Sequence, residues 1–314
     1  MVDDYHQWCK DHTSYLYEKI QILKNDRLLP STGNIWSIKK LLFLDYYIAG
    51  FVKIIKSPKS KFKKLFFVDT HCGSVLIKLE DELEGEVFPG SPMVAALRAE
   101  KYPFTDYLFS DIDQNLIDAL AKRLKANNTL VGKRDYNPQV LDFNDAVENA
   151  VKLYQWGTAF LFFIDSMGYK EIKWNSMQKI LNIETADIIF TFMTYTIERN
   201  RPIADENDKT AQTFDEFFGG SEWRKFKTGP ELLKLYRKKL ESTGKNTYVI
   251  EVFKEGENKL YDIIFVSRSQ GGANVVDYVT NVLKFVDTEL IHGIFEIISN
   301  KTRPITDFMN GKKH

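Results

Sequence analysis

The sequence of 314 residues has only two cysteines, Cys9 and Cys72, far apart in the chain. Two such cysteines form neither a disulfide framework nor a CxxC pair, and such sparse use is typical of a reducing compartment. No signal-peptide pattern is visible either. We therefore expect a cytoplasmic protein.

Long hydrophobic runs and an excess of one charge are also missing. The longest apolar stretch, residues 159–164, is too short to cross a bilayer and is typical of a buried strand. Lys+Arg and Asp+Glu both total 43, so the formal net charge is zero. We expect no membrane partner, and composition leaves both the other partners and the oligomeric state open.

Several motifs of common enzymes are absent. The sequence has no phosphate-binding loop signature, no HExxH and no GxSxG, which argues against nucleotide triphosphatases, zinc proteases and α/β-hydrolases. His6, Cys9 and His12 are three residues apart and could share a helix face. Because no fourth ligand with zinc-type spacing is nearby, we predict structural or surface roles for them and no metal site.

The chain is 44% hydrophobic and long enough to bury a full core. Short apolar runs predict buried strands at residues 65–69, 106–110, 159–164 and 187–192, with a weaker one near 129–133. Helix-like patterns lie between them at residues 92–100, 114–126, 140–154 and 174–181. Strands that alternate with helices predict a parallel sheet covered on both faces.

The pattern changes near the end of the chain. Residues 246–253 and 260–267 are strand-like, and the short polar segment between them contains one glycine, which predicts a hairpin. An α/β sheet that finishes in an antiparallel hairpin is the arrangement of class I methyltransferases. We therefore predict a Rossmann-like α/β fold of this class, with a mostly parallel seven-stranded sheet. The predicted regions are a helical N-terminal extension (1–60), the α/β domain (61–285) and a C-terminal helical tail (286–314).

Polar residues follow several of the predicted strands, at the edge where open α/β sheets bind ligands. After the first strand, Asp69 could accept a hydrogen bond from an ammonium group or from loop amides, and Gly73 would let the backbone approach a ligand. A plain tight turn explains the same residues equally well. After the second strand, Asp111 could accept both hydroxyls of a ribose. The nearby Asp113 is either a further ligand or the N-cap of the next helix.

Two further strand ends carry polar residues. Asp135 and Asn137 could meet an adenine amino group while Tyr136 covers the ring, although turn chemistry before a proline explains them as well. Asp165 and Tyr169 follow the fourth strand, where a methyl acceptor would lie. A buried run that ends in a polar turn is the alternative explanation of that pair.

Taken in order, these segments resemble one family. They comprise Trp36, Lys39 and Tyr46 on an N-terminal helix, residues 69–74, 89–92 and 109–113, Asp135 with Asn137, residues 163–174 and 217–219, Glu222 with Trp223, and residues 261–265. The sequence is similar to the three-Cys-motif partner proteins, which are themselves similar to class I S-adenosylmethionine-dependent methyltransferases. The resemblance implies S-adenosylmethionine as cofactor and a separate three-cysteine protein as a partner.

The sequence departs from the usual family pattern at two loops. His71 replaces an aromatic residue and Val75 replaces the last glycine of the first loop, where a Cβ would crowd the approach to a cofactor. Ser166 and Met167 replace the proline and the aromatic residue that usually follow Asp165. The loss of the aromatic residue removes a stacking surface for a planar acceptor.

The leading hypothesis is methyl transfer from S-adenosylmethionine to an acceptor that the sequence does not identify. In this interpretation Gly73 and Ser74 face the methionine part, Asp111 binds the ribose, and Ile112 and Asp135 flank the adenine. Asp69 and His71 are the other expected cofactor-binding residues. Asp165 orients the acceptor together with Tyr169.

Two alternatives remain open. The altered loops also suit a non-catalytic binding protein that keeps the methyltransferase shape. The lysine-rich segment 53–64 could bind nucleic acid, as substrate or as ligand, although such a run is more often a solvated helix end.

Overall fold

The computed structural model describes residues 2–56, 61–80, 83–127, 136–253, 259–269 and 271–302. The helices that it describes are α1 (Val2–Ile20), α2 (Ile35–Ile55), α3 (Ser91–Arg98), α4 (Gln114–Ala126), α5 (Phe143–Val151), α6 (Trp174–Asn182), α7 (Thr194–Glu206), α8 (Asp208–Phe218), α9 (Gly229–Glu241), α10 (Gly272–Leu283) and α11 (Thr288–Thr302). The strands are β1 (Ser31–Gly33), β2 (Lys64–Asp69), β3 (Leu76–Leu79), β4 (Val87–Pro89), β5 (Asp106–Asp111), β6 (Gln139–Val140), β7 (Thr158–Ile164), β8 (Ala186–Phe192), β9 (Asn246–Phe253) and β10 (Lys259–Ser267).

The main sheet has seven strands in the order β6-β5-β2-β7-β8-β10-β9. The pairs from β6 to β8 are all parallel. Strand β10 is antiparallel to both β8 and β9, so the last two strands form the expected hairpin. The predicted fold, a mostly parallel seven-stranded sheet ending in an antiparallel hairpin, is confirmed, and this strand order is that of the class I methyltransferase fold.

The central strands are apolar throughout because helices cover both faces of the sheet. Along β2, Leu65 and Phe67 belong to one apolar core, whereas Phe66 and Val68 belong to the other. This alternation follows from the two-residue period of a strand. Helices α1 to α4, α10 and α11 contribute to the first core, and helices α5 to α9 contribute to the second.

A second sheet has three strands in the order β1-β3-β4, of which β1 precedes α2 and the other two lie between the loop after β2 and α3. Strand β1 is parallel to β3, and β3 is antiparallel to β4. The sequence did not indicate this sheet, because its strands are short and Ser31–Gly33 has no apolar alternation. As a result, the loop after β2 leads into β3 and not directly into a helix.

Helix α2 is tied to the main sheet by two hydrogen bonds. The Tyr47 hydroxyl donates to Asp187 Oδ2 on β8 at 2.5 Å, and the Tyr261 hydroxyl on β10 donates to the Trp36 carbonyl at 2.7 Å. At the other end of the chain, the Tyr17 ring of α1 stacks on Phe295 of α11. The predicted division into an N-terminal extension, an α/β domain and a tail stays a prediction.

Two sequence-based expectations concern the region after α4. The weak strand predicted near residues 129–133 lies outside the described residues, and β6 (Gln139–Val140) occupies the place next to β5 in the sheet. The helix expected over residues 140–154 is shorter and covers Phe143–Val151, with Asp142 as its N-cap. Within the described ranges, no helix combines the length and the apolar character needed to cross a membrane.

Candidate functional site

Three acidic residues lie at the carboxyl edge of adjacent parallel strands. Asp111 ends β5, Asp69 ends β2, and Asp165 directly follows β7. Because these strands are neighbours in the sheet, their ends meet at one edge, as predicted from the sequence. The negative charges of Asp165 and Asp111 both contribute to the raised pKa of Asp69, in keeping with this proximity.

Asp69 is the most deeply buried of the three acids. Its side chain has no solvent exposure, its Oδ1 accepts a hydrogen bond from the His71 amide, and its Oδ2 has no partner. Burial raises the pKa of Asp69 to about 8 against the opposing effect of a hydrogen bond from Ser91. An unpartnered buried carboxylate oxygen is costly, and it marks a place where a donor or a cation would bind favourably.

The loop after β2 uses its own backbone amides internally. Each amide from residue 70 to residue 74 donates to an acceptor within the protein. The five bonds are Thr70 to Phe163 O, His71 to Asp69 Oδ1, Cys72 to Ser110 O, Gly73 to Asp111 Oδ2 and Ser74 to Ser31 Oγ. In this conformation the loop therefore offers hydrogen-bond acceptors to a ligand, whereas the amides of residues 70 to 74 are already used as donors.

Gly73 and Ser74 contact the N-terminal segment. Gly73 has a φ of +61°, and a side chain there would collide with the Ser31 hydroxyl. The Ser31 amide donates to Ser74 Oγ at 2.9 Å, and Ser74 Oγ in turn donates to the Leu76 carbonyl. Both residues were predicted to bind the methionine part of a cofactor. That role stays a prediction, and the structure adds strand β1 as a second reason for a glycine at position 73.

Val75 has a φ of +80°, which a β-branched residue rarely adopts. A positive φ is the conformation that glycine adopts readily, so the backbone at Val75 is one that a glycine would take without strain. The Val75 side chain is fully buried in the first apolar core. The departure from the pattern thus takes the form of local backbone strain.

Asp111 and Ile112 lie on the other side of the loop. Asp111 Oδ2 accepts from the Gly73 amide and Oδ1 accepts from the Asp113 amide, both at 3.0 Å. Asp113 caps α4 by accepting from the Asn115 amide, which confirms the helix-capping alternative. Ile112 is 64% exposed although it is large and apolar. An exposed apolar side chain beside a strand-end acid would suit a planar base.

Asp165 forms an ion pair that the sequence did not predict. Lys40 Nζ of α2 lies 2.5 Å from Asp165 Oδ1, and the Thr191 hydroxyl donates to the same oxygen at 2.7 Å. Lys40 Nζ also lies 5.0 Å from the centre of the Tyr261 ring. Lys40 is buried, and its position within an apolar stretch of α2 was the available sequence signal.

Tyr169 and His71 were both predicted as site residues, and each contacts other side chains of the protein. The Tyr169 ring packs edge-on against Phe214 and Phe217 in the second core, its hydroxyl has no partner, and burial raises its pKa to about 12. His71 Nδ1 lies 2.9 Å from the Thr70 hydroxyl, and Nε2 lies 3.5 Å from Glu171, whose pKa it lowers. A separation of 3.5 Å between His71 Nε2 and Glu171 is too long for a good hydrogen bond.

The remaining predicted positions are less informative. Asp135 lies outside the described residues. Tyr136, expected to cover an adenine ring, stacks on Phe109 with the ring centres 5.9 Å apart. In the acceptor loop, Ser166 Oγ donates to the Gly168 carbonyl and Met167 is 86% exposed.

The three N-terminal residues weighed as metal ligands have other surroundings. Cys9 is buried, His12 Nδ1 lies 2.6 Å from Asp45 Oδ2, and the His6 ring lies against Phe285. Across the described part of the chain, no group of three or more His, Cys, Asp or Glu side chains has a metal-binding arrangement.

The comparisons with known proteins give structural likeness only. No protein-family profile and no curated protein matches the sequence. The magnesium protoporphyrin IX methyltransferase ChlM from Synechocystis PCC 6803, solved with bound SAH, is similar with a TM-score of 0.39 and 10% identity over 73% of this chain and 84% of that one. The methyltransferase domain of a bacterial CtHen1 has a TM-score of 0.35 and 11% identity over 72% and 99%.

A third similar structure is Trm1 from Pyrococcus horikoshii in complex with S-adenosyl-L-methionine. It has a TM-score of 0.37 and 10% identity over 78% of this chain and 58% of that one. Identities and TM-scores this low transfer neither an activity nor a site. The fold assignment rests on the strand order of the sheet.

Proposed function

We propose that the protein is an S-adenosylmethionine-dependent methyltransferase that binds the methyl donor at the carboxyl edge of β5 and β2. The supporting observation is the chemistry of the loop at residues 69–74. All its amides from residue 70 to residue 74 are already bonded, whereas the buried Asp69 carboxylate has an unpartnered oxygen and two further acids lie nearby. Such a site attracts a cation, and S-adenosylmethionine carries an ammonium and a sulfonium group.

The same observation argues against a dinucleotide or nucleotide phosphate at this edge. Phosphate-binding loops present free amides, usually at the start of the following helix. Here the loop amides are occupied and the chain continues into β3 (Leu76–Leu79). A phosphate would also meet the nearby carboxylates of Asp111 and Asp165.

The residues present fit the proposed cofactor. Asp69 would hold the ammonium group, and Asp111 would accept hydrogen bonds from the ribose hydroxyls, since each of its oxygens has a lone pair to spare. Ile112 would provide an apolar surface for the adenine. We also propose that Asp135 lies beside the adenine, as predicted from the sequence.

The acceptor side is proposed around Asp165. When bound, the cofactor supplies an activated methyl group, and the protein's main task is to align an acceptor for in-line displacement. The ion pair with Lys40 and the bond from Thr191 hold Asp165 Oδ1 in one orientation. Its Oδ2 is then the oxygen that would orient an acceptor or take up its proton.

Titration calorimetry with S-adenosylmethionine and S-adenosylhomocysteine tests the proposal. We expect both to bind, NAD to give no heat of binding, and Asp111→Ala to weaken cofactor binding by about tenfold or more, because charged hydrogen bonds to the ribose are lost. Asp113→Asn is the matched control, since asparagine caps a helix as well as aspartate does. An absence of binding by both cofactor forms would contradict the proposal.

A second candidate function is binding of the cofactor without methyl transfer. It is favoured by the acceptor loop, in which Ser166 is bonded to its own loop and Met167 replaces an aromatic residue and is exposed. Labelled methyl transfer to nucleic acid, protein and small-molecule fractions distinguishes the two functions. Transfer that Asp165→Ala abolishes rules out the non-catalytic candidate.

The acceptor and the partners remain proposals. Because the sequence resembles the three-Cys-motif partner proteins, we propose a separate three-cysteine protein as a partner. For a nucleic acid, the supporting surface is a groove of about 780 Å³ beside Trp174. Its lysines are Lys225, Lys234, Lys238 and Lys239. Binding to RNA or DNA that weakens with salt and with Lys→Glu changes in this groove would support it.

We also propose the cytoplasmic location predicted from the sequence, and the state of the two cysteines supports it. Both Cys9 and Cys72 are buried free thiols, as is typical of proteins in a reducing compartment. Fluorescence microscopy of the tagged chain in cells tests this proposal.

A further inference from the structure

Arg123 of α4 is buried and uses every donor of its guanidinium group. Its side chain is 1% exposed, and an arginine has five N–H donors in a fixed planar arrangement. The five bonds are Nε to Asp26 Oδ2, Nη2 to Asp26 Oδ1, Nη2 to Leu28 O, Nη1 to Leu29 O and Nη1 to Ser74 O, all between 2.7 and 2.9 Å. Burial alone would raise the pKa of Asp26, but Arg123 lowers it below its usual value.

The acceptors of Arg123 belong to two segments far apart in sequence. Asp26, Leu28 and Leu29 precede β1, and we call residues 26–33 the strap. Ser74 belongs to the loop proposed to bind the methyl donor. Arg123 therefore joins the strap to this loop, and Ser31 of the strap contacts Ser74 and lies next to Gly73.

The bond to Ser74 lies next to the strained residue. The Ser74 carbonyl precedes Val75 and accepts from Arg123 Nη1 at 2.7 Å. The Val75 carbonyl follows it and accepts from the Gly90 amide at 2.5 Å. The peptide groups on both sides of Val75 are thus each fixed by a hydrogen bond. A β-branched residue keeps a positive φ only where its surroundings determine it in this way.

We infer that Arg123 is a positioning residue for the methyl-donor loop: it holds the Ser74 carbonyl and so keeps Val75 in the conformation that a glycine would adopt unaided. The inference rests on the proposed function for the identity of the ligand. Its structural part concerns the loop alone. Without Arg123, the peptide between Ser74 and Val75 rotates to relieve the strain, and the loop that carries Gly73 and Ser74 loses its shape.

Cys72 allows the loop to be tested without any ligand. It lies in the loop and is buried, and the only other cysteine is Cys9. In a full-length Cys9→Ser background, the rate at which dithiobisnitrobenzoate modifies Cys72 reports opening of the loop. Urea denaturation of the same variants gives the equilibrium constant of global unfolding. The part of the Cys72 modification rate that global unfolding explains is then subtracted.

The variant is Arg123→Met, which removes the five donors and keeps a long side chain. The matched control is Arg201→Met, because Arg201 is also buried and donates to the backbone carbonyls of Arg224 and Phe226, away from the loop. We expect Cys72 in Arg123→Met to react at least about tenfold faster than global unfolding allows, the size expected from losing a charged hydrogen bond. In Arg201→Met the rate follows global unfolding.

A rescue distinguishes positioning from general support of the fold. Glycine adopts a positive φ without strain, so adding Val75→Gly to Arg123→Met is expected to remove most of the excess reactivity of Cys72. Val75→Gly alone is measured beside it. If Arg123→Met shows no excess reactivity, or if the glycine does not reduce that excess, the inference is wrong. Should Arg123→Met fail to fold, Asp26→Asn, which loosens the guanidinium but keeps it, takes its place.

Calorimetry with S-adenosylhomocysteine adds the functional readout. We expect Arg123→Met to weaken binding by about tenfold and Arg201→Met to leave it unchanged. If the unmodified protein binds neither S-adenosylhomocysteine nor S-adenosylmethionine, the proposed function fails, and the reactivity of Cys72 still decides the role of Arg123 in the loop. If both variants bind as tightly as the unmodified protein, the positioning role is refuted while the proposed function stands.

Discussion

Replacing Asp69 by asparagine would show directly what the buried carboxylate does to stability. Burial raises the pKa of Asp69 from its usual 3.8 to about 8. The folded protein therefore keeps the proton up to a higher pH than the unfolded chain does. Between these two values the unfolded state is ionised and the folded state is not, so stability falls as the pH rises. Asparagine has nearly the same shape and cannot ionise.

The magnitude follows from the pKa difference. Each unit of pKa difference corresponds to about 1.4 kcal/mol, so between pH 5 and pH 8 the unmodified protein should lose about 4 kcal/mol relative to Asp69→Asn. Urea denaturation of both proteins at pH 5, 6, 7 and 8 measures this difference. Ser91→Ala is an informative companion, because the Ser91 hydrogen bond lowers the pKa of Asp69 and its loss should extend the fall to higher pH.

The same carboxylate should couple cofactor binding to a proton. Below pH 8 a bound ammonium group would select the ionised form of Asp69, so S-adenosylhomocysteine should release a proton on binding and bind more tightly as the pH rises towards 8. Calorimetry in two buffers of different ionisation enthalpy measures the released proton, and Asp69→Asn should abolish its release. The reasoning about stability would be refuted if the difference in the free energy of unfolding between the unmodified protein and Asp69→Asn did not change from pH 5 to pH 8.

Three further changes test other parts of the structure by urea denaturation. Lys40→Met removes the positively charged partner of the Asp165 carboxylate, so we expect a loss of about 2 kcal/mol that Asp165→Asn in the same chain largely restores. Val75→Gly should be about 1 kcal/mol more stable than Val75→Ala, the reverse of the usual order, because only glycine adopts a positive φ without strain. Equal stability of the two variants would show that the backbone at position 75 is not strained. Gly219→Ala should cost about 3 kcal/mol, since Gly219 has a positive φ and a side chain there collides with Trp174, whereas Gly168→Ala, with open space around it, should cost almost nothing.

The elements that sequence patterns predicted are those whose environment is uniform along their length. Strand β7 is buried at every residue, and after Thr158 it appears in the sequence as an unbroken apolar run. Helix α4 coincides with the predicted residues 114–126, because its apolar face repeats at helical spacing and Asp113 caps its start. The strand-end acids followed from the same regularity, since parallel neighbours bring their carboxyl ends to one edge.

The parts that could not be predicted depend on contacts between distant segments. Strand β1 has no apolar alternation and forms because β3 offers it an edge. Arg123 looks like an ordinary charged residue of a helix, and Lys40 differs only in standing within an apolar stretch. Only the folded chain shows which acid each of them contacts. A helical period specifies which face a residue occupies and does not specify the partner that this face meets.

Val75 shows how a departure from a pattern can be misread from sequence alone. A Cβ at the last glycine position was expected to crowd a cofactor, yet the Val75 side chain is buried in the core and the backbone keeps a φ of +80°. The loop can keep that shape only if something outside it opposes the strain. The bonds from Arg123 to the Ser74 carbonyl and from Gly90 to the Val75 carbonyl are placed to do so. The substitution therefore does not by itself argue against a functional site, because the protein holds the loop by other residues.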